Sequence, residues 1–254
     1  MITQSFDDRS EAIISPGSFS PVQQFYFDTA IATFSMKLFE YVKENLPWQE
    51  VACLRAANHT KPILLVENKG TRFLFYLSEI GSTLCATDII EVNWLAGATK
   101  FIVFGSAGAL DKEKTVGKYI IPTEAYRDEG MSYHYAKASD YIKVKNADFM
   151  TDFFEKNHLP CVSGRVWTTD GFYRETRNNV EKRKADGCIA VEMEIAGMQA
   201  VCDFHGFELY DFLETGDIVD QPDYTPEGLH EANHSLNKLF IAMELAKTIS
   251  GSKP

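Results

Sequence analysis

Residues 188–205 read CIAVEMEIAGMQAVCDFH. The run at 189–191 is short, apolar and partly β-branched, as a buried strand requires, and from 192 to 205 the pattern changes to the three- and four-residue spacing of a helix. Two acids, Glu192 and Glu194, flank Met193 where one pattern gives way to the other. The same alternation extends outward along the chain. Strands are expected at 63–66, 73–77, 101–104, 119–121, 166–168 and 209–213, and helices at 25–45, 83–95, 147–157 and 228–249. The last of these carries Leu229, Ala232, Leu236, Leu239, Phe240 and Met243 as one apolar stripe. Short apolar runs alternating with longer helical ones predict an α/β fold, with a mostly parallel sheet covered by helices. No Pro/Ser-rich linker, repeat or low-complexity tract interrupts residues 1–254, so a single domain is expected.

Bulk composition narrows the partners. Apolar residues are 45% of the chain, enough for a sizeable core, and the formal net charge is −11. An acidic surface repels phosphodiester backbones and anionic lipid, so neither nucleic acid nor membrane is an expected partner. A small anionic substrate stays compatible if local N–H groups or a few cations receive it. Cys53, Cys85, Cys161, Cys188 and Cys202 form no CxxC pair and are odd in number, which reads as free thiols in a reducing cytoplasm. The opening MITQSFDDRSEAII lacks the basic-then-apolar pattern of a signal peptide, and the apolar run at 101–110 is too short to span a bilayer. A soluble cytoplasmic protein is the expectation.

Ligands of open α/β sheets collect at the carboxyl ends of strands, so the junctions at 104/105 and 191/192 are expected site walls. At the first, Gly105–Ser106–Ala107–Gly108 follows a strand. Two glycines admit close backbone approach and successive N–H groups can cradle an anion, though a plain tight turn gives the same pattern. At the second, Glu192 and Glu194 suit the favourable N-terminus of a helix, or one of them can accept the two hydroxyls of a sugar diol. In ETGDIVD at 214–220, Asp217 reads either as a turn-capping residue or as an acid whose pKa burial has raised for proton donation. In WTTDGFYRETR at 167–177, Trp167, Phe172 and Tyr173 can stack on a heterocycle or cover the edge of the core.

Taken in order and spacing, GSAGAL at 105–110, VGKYIIPTEAYRDEGMSYHY at 116–135, WTTDGFY at 167–173, VEMEIAG at 191–197 and GD at 216–217 resemble the nucleoside phosphorylase family. That family includes hexameric purine nucleoside phosphorylase, uridine phosphorylase and related nucleosidases. The resemblance covers about residues 73–250 and extends faintly to Pro16–Gly17. It implies a three-layer α/β/α fold with a central, mostly parallel mixed sheet. By the same resemblance Glu194 grips the ribose 2′- and 3′-hydroxyls, with Met193 beneath the sugar and Glu192 as the other acid of that motif. Phe172 packs on the base, with Trp167, Thr168 and Arg174 or Glu175 around it. Ser106 and Gly17 bind phosphate, and Asp217 protonates or hydrogen-bonds the purine N7.

The implied activity is that of a pentosyltransferase of nucleotide salvage. It needs phosphate as co-substrate and neither metal nor organic cofactor, and it works as a homo-oligomer, dimer or hexamer. A dissociative reaction follows, with Asp217 as general acid and Glu194 stabilising an oxocarbenium-like sugar. Two departures stand out. Where phosphorolytic relatives carry arginines, this chain has Pro21 and Val103, so phosphate must be held by Ser106, backbone N–H groups, or another arginine such as Arg127, Arg174 or one from a neighbouring subunit. Failing that, water is the nucleophile and the chain is a nucleosidase, or it binds nucleosides without turnover. Thr176 and Asn178 stand where uridine enzymes read the pyrimidine edge, and together with Asp217 they lean toward a purine, whereas RDEGMSYHY at 127–135 and TTDGFYRET at 168–176 resemble relatives grouped near uridine phosphorylase and keep a uridine-like base as the alternative.

Overall fold

A computed structural model gives the fold and describes residues 1–220 and 224–250; residues 221–223 and 251–254 of the single expected domain lie outside that description. In chain order the elements are β1 (Thr29–Thr33), α1 (Met36–Asn45), β2 (Trp48–Ala56), β3 (His59–Asn68), β4 (Thr71–Leu77), α2 (Ser82–Ala96), β5 (Lys100–Ala109), α3 (Lys112–Thr115), β6 (Tyr119–Asp128) and α4 (Ser132–Tyr135). There follow β7 (Tyr141–Lys143), α5 (Ala147–Lys156), β8 (Cys161–Thr169), α6 (Arg177–Ala185), β9 (Cys188–Glu192), α7 (Ile195–His205), β10 (Glu208–Ile218), α8 (Leu229–Asn233) and α9 (Leu236–Ser250).

All these strands join one mixed sheet in the order β10-β6-β8-β9-β5-β1-β4-β3-β2, with β7 on β6 and a further pairing of β10 with β5. That further pairing closes β5, β10, β6, β8 and β9 into a small barrel, from which β1, β4, β3 and β2 extend as a wing. Strands β4, β1, β5 and β10 run parallel, as do β6, β8 and β9. The two groups meet through the antiparallel ladders β10–β6 and β5–β9.

Alternation along the central strands builds three layers. Ala30 and Ala32 of β1, with Phe101 and Val103 of β5, pack toward Cys85, Ile89 and Val92 of α2 and Ile195, Met198 and Val201 of α7. Ile31, Ile102 and Phe104 point the other way, onto Leu38 and Val42 of α1, Phe154 of α5 and Leu239, Ala242 and Leu245 of α9. Each large side chain removed from water on either face contributes about 1.5–3 kcal/mol.

Several elements differ from the sequence reading. The helix expected over 25–45 is β1 followed by α1. All five residues of β1 are buried, and a central strand covered on both faces lacks the alternation that separates strand from helix. Ser35 then starts α1 by accepting a hydrogen bond from Leu38 N–H at 3.2 Å. Strand β2 was not expected because it is largely solvent-facing, nor was α6, a polar helix that buries only Val180 and Arg183. The helix expected over 228–249 breaks after Asn233 into α8 and α9, which turns Leu236 and Phe240 out to solvent and Lys238 inward.

The segment at 105–108 is also not a turn. Strand β5 continues through Ala109 because β10 stays paired with it as far as Ile218. Gly108 lies where the barrel closes: a Cβ there would stand 2.7 Å from Val219 Cγ2 and 2.9 Å from Val191 Cγ1. Its glycine serves close strand packing rather than an anion-binding turn.

Candidate active site

A cavity of about 360 Å³ opens at the carboxyl ends of β1, β5 and β9, between the barrel and helices α8 and α9. Ser106, Met193, Glu192, Glu194, Phe172 and Asp217 all line it. The acids at the β9–α7 junction and the acid near the end of β10 therefore share one space. A second cavity of about 740 Å³ adjoins it, with Phe172, Glu175 and Asp217 common to both. A comparably large cavity of about 800 Å³, between Pro16, Phe19, Val51 and Trp94, is separate from these acids and shares none of their lining.

The two glutamates do different work. Glu192 is buried and its carboxylate is fully engaged: Oε2 accepts from Glu194 N–H at 2.6 Å and Ile195 N–H at 2.8 Å, and Oε1 accepts from the Thr168 hydroxyl. It ties the first amides of α7 to the end of β9. Glu194 projects into the cavity, its Oε1 accepting from Gly81 N–H at 2.7 Å and its Oε2 from Met193 N–H at 3.2 Å. Gly81 makes that contact with φ of +96°, in the region that glycine tolerates without strain. Burial lifts both carboxyls above the ordinary range, and the charge of Glu194 lifts Glu192 further. A buried, hydrogen-bond-oriented carboxylate beside an open space is suited to accepting a pair of hydroxyls.

At the other acidic position, burial raises the pKa of Asp217, and a hydrogen bond from the Tyr224 hydroxyl offsets part of the rise. Glu175, which lines the same space, is pushed up to about 7 by burial and then by the charge of Asp217. Two carboxyls near each other in a partly dry site favour holding a proton between them. Phe172 is half exposed and packs edge-on against Tyr173 at 4.9 Å between ring centroids, leaving an aromatic face at the rim.

Five expected site residues lie elsewhere. Trp167 is 2% exposed, sits in a small core with Leu110, Val180 and Val191, and donates its Nε1–H to Asp128 Oδ2 at 3.0 Å. Thr168 faces away from a base because its hydroxyl is committed to Glu192 while accepting from Ala196 N–H at 3.1 Å. Arg174 is exposed and outside the lining of both cavities. Arg127 is buried and spends its guanidinium on Ser132 Oγ at 2.8 Å, the Lys137 carbonyl at 2.7 Å and Ser139 Oγ at 3.0 Å, over the ring of Tyr133. It braces a loop and lines neither of the two adjoining cavities. A Cβ at Gly17 would stand 3.1 Å from Trp94 Cζ2, beside the separate cavity, so the resemblance at 16–17 does not mark the phosphate loop. The N-terminal wall of the site is instead Thr33 and Phe34, directly after β1.

The sequence reading missed Asn233, His234 and Lys238, which come from α8, the break after it, and α9. A lysine between Leu236 and Leu239 on an apolar stripe was the available signal.

Residues 28–239 match the family described as the Phosphorylase superfamily, and the chain belongs to it. Among relatives, it is 25% identical over 152 residues to a DeoD-type purine nucleoside phosphorylase of Exiguobacterium sp., an alignment covering 59% of this chain and 64% of that protein, under two thirds of its length. Among solved structures, it superposes on purine nucleoside phosphorylase from Toxoplasma gondii in complex with immucillin-H with a TM-score of 0.70 and 18% identity, covering 90% of this chain and 95% of the other. The 5′-methylthioadenosine/S-adenosyl homocysteine nucleosidase of Campylobacter jejuni gives a TM-score of 0.68 at 17% identity, covering 87% of this chain and all of the other (100%). At such identities the structural likenesses establish the fold, which is the mixed α/β fold with a large central sheet that the sequence led one to expect. Among the described residues no helix is long and apolar enough to cross a membrane.

Proposed function

We propose that this chain cleaves the N-glycosidic bond of a purine nucleoside and transfers the ribosyl group to phosphate, giving free base and ribose 1-phosphate. The observation that carries the reading is that Glu194, at the β9–α7 junction, and Asp217, near the end of β10, line one cavity with an aromatic residue at its rim. Glu194 accepts the 2′- and 3′-hydroxyls with its two oxygens. As C1′–N9 breaks, its electron pair moves onto the base, and the proton held at Asp217 goes to N7, neutralising the leaving group. The negative Glu194 stabilises the cationic sugar until a phosphate oxygen bonds to C1′. Asp217 recovers its proton from solvent. Phosphorolysis is also the activity named for the DeoD-type relative, whereas the Campylobacter likeness is a nucleosidase.

The nucleosidase reading differs only in the nucleophile. Purified protein incubated with adenosine, inosine, guanosine and uridine, with and without phosphate, and analysed for free base and sugar phosphate, separates the two. Base release from purines that requires phosphate is the expected result. Release that ignores phosphate makes the chain a hydrolase, and absence of release from every nucleoside overturns the reading.

A further inference from the structure

The cavity is electrically divided, and its cationic end comes from residues with no counterpart in the motifs that carry the family resemblance. Lys238 is 1% exposed, lines the cavity, and donates one N–H to the Gly105 carbonyl at 2.5 Å. An ammonium has three donors, so two remain for the cavity. Asp211 and Glu214 act on it through space, and neither forms an ion pair with it among the described residues. An unpaired ammonium this deeply buried is costly unless something anionic joins it.

Its neighbours have the same bias. His234 also lines the cavity, and its Nδ1 lies 2.7 Å from Ser35 Oγ. That oxygen also accepts from Leu38 N–H, so Ser35 fixes the position of the imidazole at the cavity wall. Behind it the ring of His230 stands 4.7 Å away, held by Lys37 Nζ at 3.1 Å from its Nε2. Ser106 donates to Asn233 Oδ1 at 2.5 Å, and the Asn233 amide keeps its N–H donors. Burial first, and then the nearby Lys37, His230 and Lys238, hold His234 below the ordinary imidazole range, and these three neighbours cluster at one end of the cavity in a chain of net charge −11.

We infer that Lys238 and His234, with Ser106 and Asn233 and the outer cation Lys37, form a phosphoryl-binding pole that takes the place of the arginines absent at 21 and 103. The pole rests on the proposed function for its partner in catalysis, but its ligand chemistry stands apart: a tetrahedral dianion with several acceptor oxygens, met by N–H donors of Lys238 and of the Asn233 amide that Ser106 holds in place. Two sources supply such a group, free phosphate as nucleophile and a phosphate ester on the sugar of the substrate.

The test uses the full chain, with K238Q and H234Q beside the surface control K247Q. Calorimetric titration with inorganic phosphate is expected to show binding by wild type and K247Q, weakened about 10–100-fold in K238Q, the size of a lost charge-assisted bond. In turnover, KM for phosphate should rise by a similar factor while KM for nucleoside moves little, and H234Q should show a smaller rise in the same direction. H234Q keeps the test decisive if K238Q fails to fold, because its site is less buried. If free phosphate has no effect on wild type but a nucleoside 5′-monophosphate is bound or cleaved in preference to the nucleoside, and K238Q and H234Q erase that preference, the ester is the source and the pole stands. Glycosidic cleavage unaffected by any of these substitutions, with no phosphate or monophosphate affinity, overturns the pole and leaves the proposed function intact. Phosphate binding lost in K238Q without cleavage of any nucleoside does the reverse.

Discussion

Replacing Glu194 with Gln tests the sugar-binding end of the cavity. The carboxylate now offers two equivalent acceptors, oriented by Gly81 N–H at 2.7 Å and Met193 N–H at 3.2 Å. A carboxamide offers one acceptor and one donor group, so an N–H₂ must face either a backbone N–H or a ribose hydroxyl. Charge-assisted bonds contribute about 1.5–3 kcal/mol and a stranded donor costs about 1–3 kcal/mol. The loss of negative charge beside an oxocarbenium-like sugar adds to this, as removal of one transition-state contact costs about 10²–10³-fold. A fall in kcat/KM of about 10²–10³ on a purine nucleoside is therefore expected, about 3–4 kcal/mol at 1.36 kcal/mol per tenfold. Steady-state assay of base release measures it, paired with the 2′,3′-dideoxynucleoside. Wild type should lose a comparable factor when the diol is removed, and E194Q should barely distinguish the two substrates. A variant within threefold of wild type, or one that falls equally on both substrates, refutes the diol contact.

Asp217→Asn keeps a hydrogen-bonding side chain beside Tyr224 but cannot give up a proton; kcat should fall about 10²–10⁴-fold with nucleoside affinity, measured by fluorescence or calorimetry, within a few-fold of wild type. Turnover that persists in D217N rules out its role as the acid. Glu175, raised from an ordinary 4.5 to about 7, binds a proton in the folded state that the unfolded chain releases, so its contribution to stability falls as pH rises through that window. E175Q should remove on the order of 1–2 kcal/mol of that slope, after allowance for partial exposure. Melting temperatures of the two proteins from pH 4.5 to 8 check it, and parallel curves contradict it. Gly108→Ala forces a methyl to within 2.7 Å of Val219 and 2.9 Å of Val191, and overpacking of this kind costs about 1–3 kcal/mol. An unchanged thermal melt places the close approach of β5, β9 and the end of β10 in error.

Much of the fold was legible because most of its helices and inner strands obey simple periodicities. What escaped notice has particular causes. Strand β1 is covered on both faces, so Thr29–Thr33 carries no alternation and merges with the helical pattern of α1. In α6, Arg177–Ala185 has almost no apolar face to detect. The chemical residues divide in the same way. Glu194, Met193, Phe172, Ser106 and Asp217 lie in local motifs at strand ends, and the fold brings them to one cavity. Trp167 and Thr168 belong to such a motif too, but alternation along β8 and the hydroxyl bond to Glu192 turn them to other partners. Arg127 was a cation in search of an anion on paper, and in the fold five carbonyl and hydroxyl acceptors consume it. Lys238 gave only the weak signal of a lysine on an apolar stripe and His234 none, because their partners, Gly105 and Ser35, are remote in sequence and the break between α8 and α9 turns them inward.

The central claim is that one cavity holds the sugar at Glu194 and the base at Asp217. A crystal structure of the protein with inosine or a non-hydrolysable purine nucleoside analogue, grown in phosphate, tests it most directly. Both Glu194 oxygens within about 3 Å of the 2′- and 3′-hydroxyls, with Asp217 facing N7 of the purine, is the result expected for charge-assisted bonds of ordinary length. A nucleoside seated in another cavity, or bound here with its hydroxyls turned away from Glu194, contradicts it.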